Sequence, residues 1–338
     1  MDNAANRPFR FSSTDALNYL NIGLMLISFA AAYILPFQVF LFSYAVLGPL
    51  HYLTEISWLE KRNYFVKSKQ DVWIFVLLVL LVTMGRLGLG IKGLTGSLVF
   101  SAFVYALAIL FVKKTNNKLL FVLLAFAGSL LFHFNRAGGY SYILFAVLLP
   151  TIIHVFIFTG AFILLGALRS RSLSGILSLF VFIFCAIAFF VYTPDNFNAT
   201  LSEYYKNAYS YFTSINVSLY HLFGFGTIRS TDAALYINPN AVAIMRFIAF
   251  AYTYHYLNWF SKTTIIKWNQ ISPKRMTLII VVWIFSIGLY AFNVVVGFYV
   301  LFLLSLLHVL LEFPLNHQTF IGIGKELKSM IRPINKFP

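Results

Sequence analysis

Residues 173 to 193 read LSGILSLFVFIFCAIAFFVYT, twenty-one positions without a single charge. At a rise of about 1.5 Å per residue, such a run crosses a hydrocarbon layer of roughly 30 Å as a helix. A helix satisfies every backbone donor and acceptor within the segment itself, which lipid demands. The same kind of run recurs along the whole chain, near residues 17–35, 38–59, 71–91, 95–112, 118–135, 140–168, 240–261, 276–294 and 296–316. The expected fold is therefore all-α, a polytopic transmembrane bundle of about ten helices. The last two runs are separated only by Asn293 and Gly297, and one long bent helix is the alternative there.

Composition agrees with this reading. Sixty per cent of the 338 residues are hydrophobic and ten per cent are charged, an apolar excess that a soluble core of this size does not need and that must face lipid. Residues 1–338 read as one integral membrane domain, with residues 194–239 forming a long external loop. Within that loop the stretch from Leu201 to Phe212 is rich in tyrosine and suits an interfacial helix or a lid. No internal repeat is evident, so an inverted-repeat transporter is not indicated.

The net charge of +15 does not point to nucleic acid, because the lysines and arginines sit in short loops and not on one folded face. Nineteen of the 25 fall on one side of the expected topology: Arg7 and Arg10, then the groups around Lys61, Lys113, Arg169, Lys262 and Lys325. Lys92, Arg136, Lys206 and Arg229 fall on the other, and Arg86 and Arg246 lie within spans, where they snorkel or face an external cavity. Cytoplasmic loops retain positive charge, so both termini are expected in the cytoplasm, in a bacterial inner membrane. The first apolar run is too long for a signal peptide and is expected to remain as helix one. Cys185 is the sole cysteine, which excludes an intrachain disulfide and a thiolate cluster. Asn198 and Asn216 begin glycosylation-like tripeptides, a pattern common by chance.

Polar residues inside the spans carry the chemistry. Glu55 and Glu312 are the acidic residues that fall well within them, and each follows a histidine by four positions, in His51-Tyr-Leu-Thr-Glu55 and His308-Val-Leu-Leu-Glu312. On a helix, residues four apart share a face. His255 and His154 lie in two further spans that run in the same direction. His51, His255 and His308 stand at a common depth, and His154 is expected about 9 Å deeper unless its helix protrudes. Imidazoles and carboxylates on helices are ligands for iron, manganese or zinc, and this set suits Fe2+, with another divalent metal as the alternative. Tyr252, Asn258 and Ser305 are candidates to support the ligands. The competing readings are interhelical hydrogen bonding and a proton relay. His133, His221 and His317 fall outside this layer. No lysine sits where a retinal Schiff base would need one.

Four short motifs, Gly48-Pro49-Leu50-His51-Tyr-Leu-Thr-Glu55, Ile152-Ile153-His154-Val155, Tyr254-His255-Tyr-Leu-Asn-Trp259 and His308-Val-Leu-Leu-Glu312, resemble in order and type those of the bacterial Brp/Blh family of membrane β-carotene dioxygenases. Glu stands for the family's Asp in two motifs, Trp259 stands for a second histidine in the third, and the spacing between the first two motifs is longer. The resemblance implies a non-haem iron site at His51, His154, His255 and His308, and a lipophilic polyene entering from the bilayer. The functional expectation is an iron-dependent oxygenase acting on a lipophilic, carotenoid-like molecule, with Glu55 and Glu312 as catalytic carboxylates. The alternative is a proton-coupled transporter or permease. A third reading places the working groups in the external loop, at Glu203, Arg229 and Asp232.

Overall fold

The computed structural model describes residues 13–61, 69–89, 94–133, 143–192, 201–263, 267 and 269–331. Every regular element among them is a helix. In chain order these are α1 (Ser13–Ile34), α2 (Pro36–Lys61), α3 (Lys69–Arg86), α4 (Leu94–Phe111), α5 (Thr115–His133), α6 (Ile143–Ser170) and α7 (Leu173–Val191). The short helices α8 (Glu203–Tyr209), α9 (Thr213–Leu222) and α10 (Ala234–Ile237) follow, then α11 (Pro239–Ser261), α12 (Pro273–Phe292) and α13 (Val294–Ile331).

Seven of the described helices, α1, α2, α4, α6, α7, α12 and α13, are long and apolar enough to cross a membrane. Helices also occupy the other three expected positions, as α3, α5 and α11. α11 is less apolar for a physical reason. Eighteen of its 23 residues are buried, so it is wrapped by other helices and needs no lipid-compatible face. It packs against α1, α2, α6, α7 and α9. α12 is its opposite, with only Ile279, Ser286 and Tyr290 buried.

The chain's own punctuation sets the helix ends. Asn238 caps α11 by accepting from Asn240 N and Ala241 N at 3.0 and 3.2 Å, with Pro239 opening the helix. Ser172 accepts from Gly175 N to start α7. Gly175 also lets α6 and α7 approach closely, since a Cβ there would lie 2.9 Å from Ala167 Cα. The final apolar stretch is two helices. Asn293 adopts an extended conformation that ends α12, and its Oδ1 then accepts from Val295 N and Val296 N to begin α13. Gly297 lies against Tyr290, where any side chain would collide.

α2 departs from regular winding just before its histidine, and α6 departs from it along a segment that includes its histidine. In α2, Ser43–Leu47 makes a π-helical turn in which Gly48 N–H donates to Ser43 O. That wider turn accommodates Pro49, which has no N–H to donate. In α6 the segment Ile143–Phe158 is π-wound around Pro150.

The histidine-bearing helices run parallel. Between α2 and α11, Ser43 meets Thr253, Tyr52 meets Tyr256 and Thr54 meets Trp259, in ascending order on both. Between α6 and α13, His154 meets His308, Phe158 meets Phe313 and Leu165 lies against Gly322. Two apolar clusters result, one around α11 and one among α3, α4, α6 and α13. In lipid, such packing is held by van der Waals contact and aromatic edges, with no hydrophobic drive between helices.

The segment from Leu201 turns Tyr209 and Phe212 into the bundle. Tyr209 packs edge-on against Phe37 at 5.0 Å, and Phe212 against Phe40 and Tyr44 at 4.9 and 4.6 Å. Asn216 is buried and donates to Ala241 O at 3.2 Å, so it is not an accessible glycosylation site. Asn198 lies outside the described residues.

Candidate metal centre

Four imidazoles from α2, α6, α11 and α13 close into a ring at the seam of the two apolar clusters. Successive centroids, taken in the order His51, His255, His154, His308 and back to His51, lie 4.8, 4.9, 5.1 and 5.2 Å apart. His255 Nε2 is 3.2 Å from His51 Nε2, and His308 Nε2 is 3.3 Å from His154 Nε2. The two glutamates extend the set. Glu55 Oε2 is 3.1 Å from His51 Nε2, and Glu312 Oε2 is 3.4 Å from His154 Nε2. All six side chains are buried.

His154 therefore joins the same layer as the other three, although its sequence position suggested a deeper one. α6 runs from His154 on to Ser170 and α13 from His308 on to Ile331, farther past the histidine layer than α11 runs from His255 to Ser261, and the two remain packed together there. The greater length of α6 beyond the layer accounts for the apparent difference in depth.

The donor set fits a metal ion. Ligands about 2.1 Å from a centre and at right angles lie about 3 Å apart, close to the four separations above. Two groups, His51 with His255 and His308, and His154 with His308 and Glu312, each offer three ligand atoms within 4.8 Å of one another. Glu55 Oε2 and Glu312 Oε2 have no hydrogen-bond partner among the described residues. Two buried carboxylates facing neutral imidazole nitrogens are costly unless a cation or protons balance them. A divalent ion would balance both charges at once.

Surrounding side chains hold the rings. Thr159 Oγ1 lies 2.8 Å from His255 Nδ1, which directs Nε2 inward. Tyr52 stacks on His308 at 4.2 Å and bonds Tyr256 through their hydroxyls at 2.6 Å. Trp259 presents its edge to His51 at 5.4 Å and donates Nε1–H to Thr54 Oγ1 at 3.0 Å. The indole thus supports the helix bearing His51. The sequence carries no periodic signal for Thr159, Tyr52 or Tyr256, and Thr159 is marked only by lying five residues after His154. Of the supports that reading named, Tyr252 and Ser305 line a small cavity and Asn258 lines a larger one.

The two cavities flank the layer. A cavity of about 630 Å³ has His51, Glu55, His255 and Glu312 in its lining and extends to Arg169 and Lys262 near the ends of α6 and α11. On the opposite side lies a space of about 50 Å³, bounded by Tyr44, Arg86, Phe212, Tyr252 and Phe298. Arg86 faces this space, stacked over Phe302 at 5.0 Å. Arg246 is buried, lying 4.1 Å over Tyr33 and donating to its carbonyl at 3.0 Å.

The remaining candidates stay apart from the centre. His221 is exposed, and His317 contacts Phe111. His133 closes α5. Glu203 pairs with Lys206 at 2.8 Å, and Asp232 accepts from Arg229 N at 2.8 Å within a turn, so both make local contacts.

The chain matches no family model, no curated protein and no solved structure.

Proposed function

We propose that the protein is a membrane-embedded, metal-dependent oxygenase acting on a lipophilic, carotenoid-like substrate. In this reading His51, His154, His255 and His308 hold the metal, with Fe2+ the leading candidate, and Glu55 and Glu312 complete the site. The observation that carries it is the convergence of four buried imidazole nitrogens and two partnerless carboxylate oxygens at ligand-to-ligand spacing. Bound iron would supply the activation of dioxygen. The chain's own residues do the rest. Thr159 orients His255, Tyr52 and Trp259 brace the rings, and Trp58, Phe162 and Leu315 give the adjoining cavity apolar walls that exclude bulk water. The four histidine motifs support the carotenoid-like assignment by their resemblance.

The same proposal places ten helices across a bacterial inner membrane with both termini in the cytoplasm. Its support is the lopsided distribution of lysine and arginine and the presence of helices at all ten expected positions. Metal analysis of the purified protein tests the functional reading. Near-stoichiometric iron is expected, and His51→Ala, His255→Ala and His308→Ala should each lose most of it. Unchanged iron in all three variants would remove the proposal.

A proton-coupled transporter is the second reading, favoured by the cavities on both sides of the polar layer. A vesicle flux that survives chelation and collapses in Glu55→Gln and Glu312→Gln would replace the oxygenase with it.

A further inference from the structure

The larger cavity has mixed walls: Trp58, Phe162, Ile163 and Leu315 are apolar, and Asn18, Asn258, Arg169 and Lys262 are polar or charged. A purely apolar molecule has no use for the polar groups.

Two side chains there have polar atoms without a partner among the described residues. Asn258 is 7 % exposed and its Oδ1 has no hydrogen-bond partner, and turning the amide over would present its N–H2 group to an acceptor at that point. Lys262, the residue that ends α11, makes no ion pair among the described residues. Arg169 by contrast lies 3.7 Å from Glu326. Burial pushes the Lys262 ammonium down to about 8, so it stays mostly charged at neutral pH, and an anion beside it would favour the charged form further. The cavity's volume of about 630 Å³ lies within the range of roughly 300–1,000 Å³ usual for small-molecule sites.

We propose that this cavity binds a single-chain lipid carboxylic acid, its carboxylate held by Lys262 and Asn258 and its chain lying along the apolar walls. Asn258 and Lys262 follow His255 by three and seven positions on the chain, about 5 and 10 Å along the helix axis, so the anchored acid lies beside the imidazole layer. As a substrate assignment this rests on the oxygenase reading; as a binding site it stands on the cavity alone.

cis-Parinaric acid, a fluorescent polyene acid, titrated into the detergent-purified full chain beside its methyl ester, tests the proposal. The acid should bind at least about tenfold more tightly than the ester, the scale of one charge-assisted contact. Lys262→Met should abolish that difference and Lys262→Arg should keep it, with elution as a monodisperse particle confirming that both fold. Equal binding of acid and ester to the unaltered protein overturns the proposal, as does an acid preference that persists in Lys262→Met. His255→Ala separates the two readings, because it should lose metal and still prefer the acid. Acid preference in a protein that holds no metal would retain the binding site and discard the oxygenase.

Discussion

Nε2 of His255 lies 3.2 Å from Nε2 of His51, across two parallel helices and 204 positions of chain. Two neutral imidazoles at that separation satisfy one hydrogen bond between them. A second such pair and two partnerless carboxylates stand beside them, an arrangement better completed by a cation than by more hydrogen bonds.

If a cation binds there, it stabilises the folded bundle by mass action. Metal at one hundred times its Kd contributes about 2.7 kcal/mol. Chelation should therefore lower the thermal midpoint of the unaltered protein in detergent and leave that of His308→Ala nearly unchanged. Equal shifts in both proteins would place the stabilising ion elsewhere.

Thr159 acts on the metal only through His255, at 2.8 Å from its Nδ1. Thr159→Val keeps the shape and removes the hydroxyl. Metal affinity should fall about 10–100-fold, as for other outer partners of metal-bound histidine, and Thr159→Ser should restore it. A competition titration against a chelating dye reads the change directly.

Gly48 is where a methyl group has no room. A Cβ there would lie 2.9 Å from the Tyr52 hydroxyl and 3.3 Å from that of Tyr256, whose mutual bond braces the ring of His308. Gly48→Ala should destabilise by about 1–3 kcal/mol, the usual cost of overpacking. Gly23→Ala is the control: it meets nothing within 4 Å and should be stabilising by up to about 1 kcal/mol from helix propensity. Thermal unfolding of the two variants checks the contrast.

Away from the centre, Lys118 Nζ bonds both oxygens of buried Asp71 at 2.9 Å, and Tyr105 donates to the same carboxylate at 2.7 Å. This joins α3, α4 and α5. Lys118→Met leaves the carboxylate without its cation and should cost about 3–5 kcal/mol. The double variant Lys118→Met with Asp71→Asn should recover much of that loss, measured by the same unfolding assay.

Much of this architecture is legible along the chain. Runs such as residues 173 to 193 dictate membrane helices because lipid leaves the backbone no other hydrogen-bonding solution. The i, i+4 spacing of His51 with Glu55 and of His308 with Glu312 places each pair on one helix face before any neighbour is considered. Asn293 and Gly297 mark the final break, and the structure gives their reasons: one is a cap and the other a close approach.

What the sequence by itself determined was an all-helical membrane chain whose polar side chains share particular helix faces. Only the tertiary structure decided which faces meet. The entry of His154 into the common layer depends on how far α6 runs past it, the roles of Thr159 and Tyr52 depend on contacts across helices, and the mixed polar and apolar cavity is a space between helices that no single segment encodes. Helical periodicity is local, whereas a site built from residues 51, 154, 255 and 308 is fixed by how four distant helices pack.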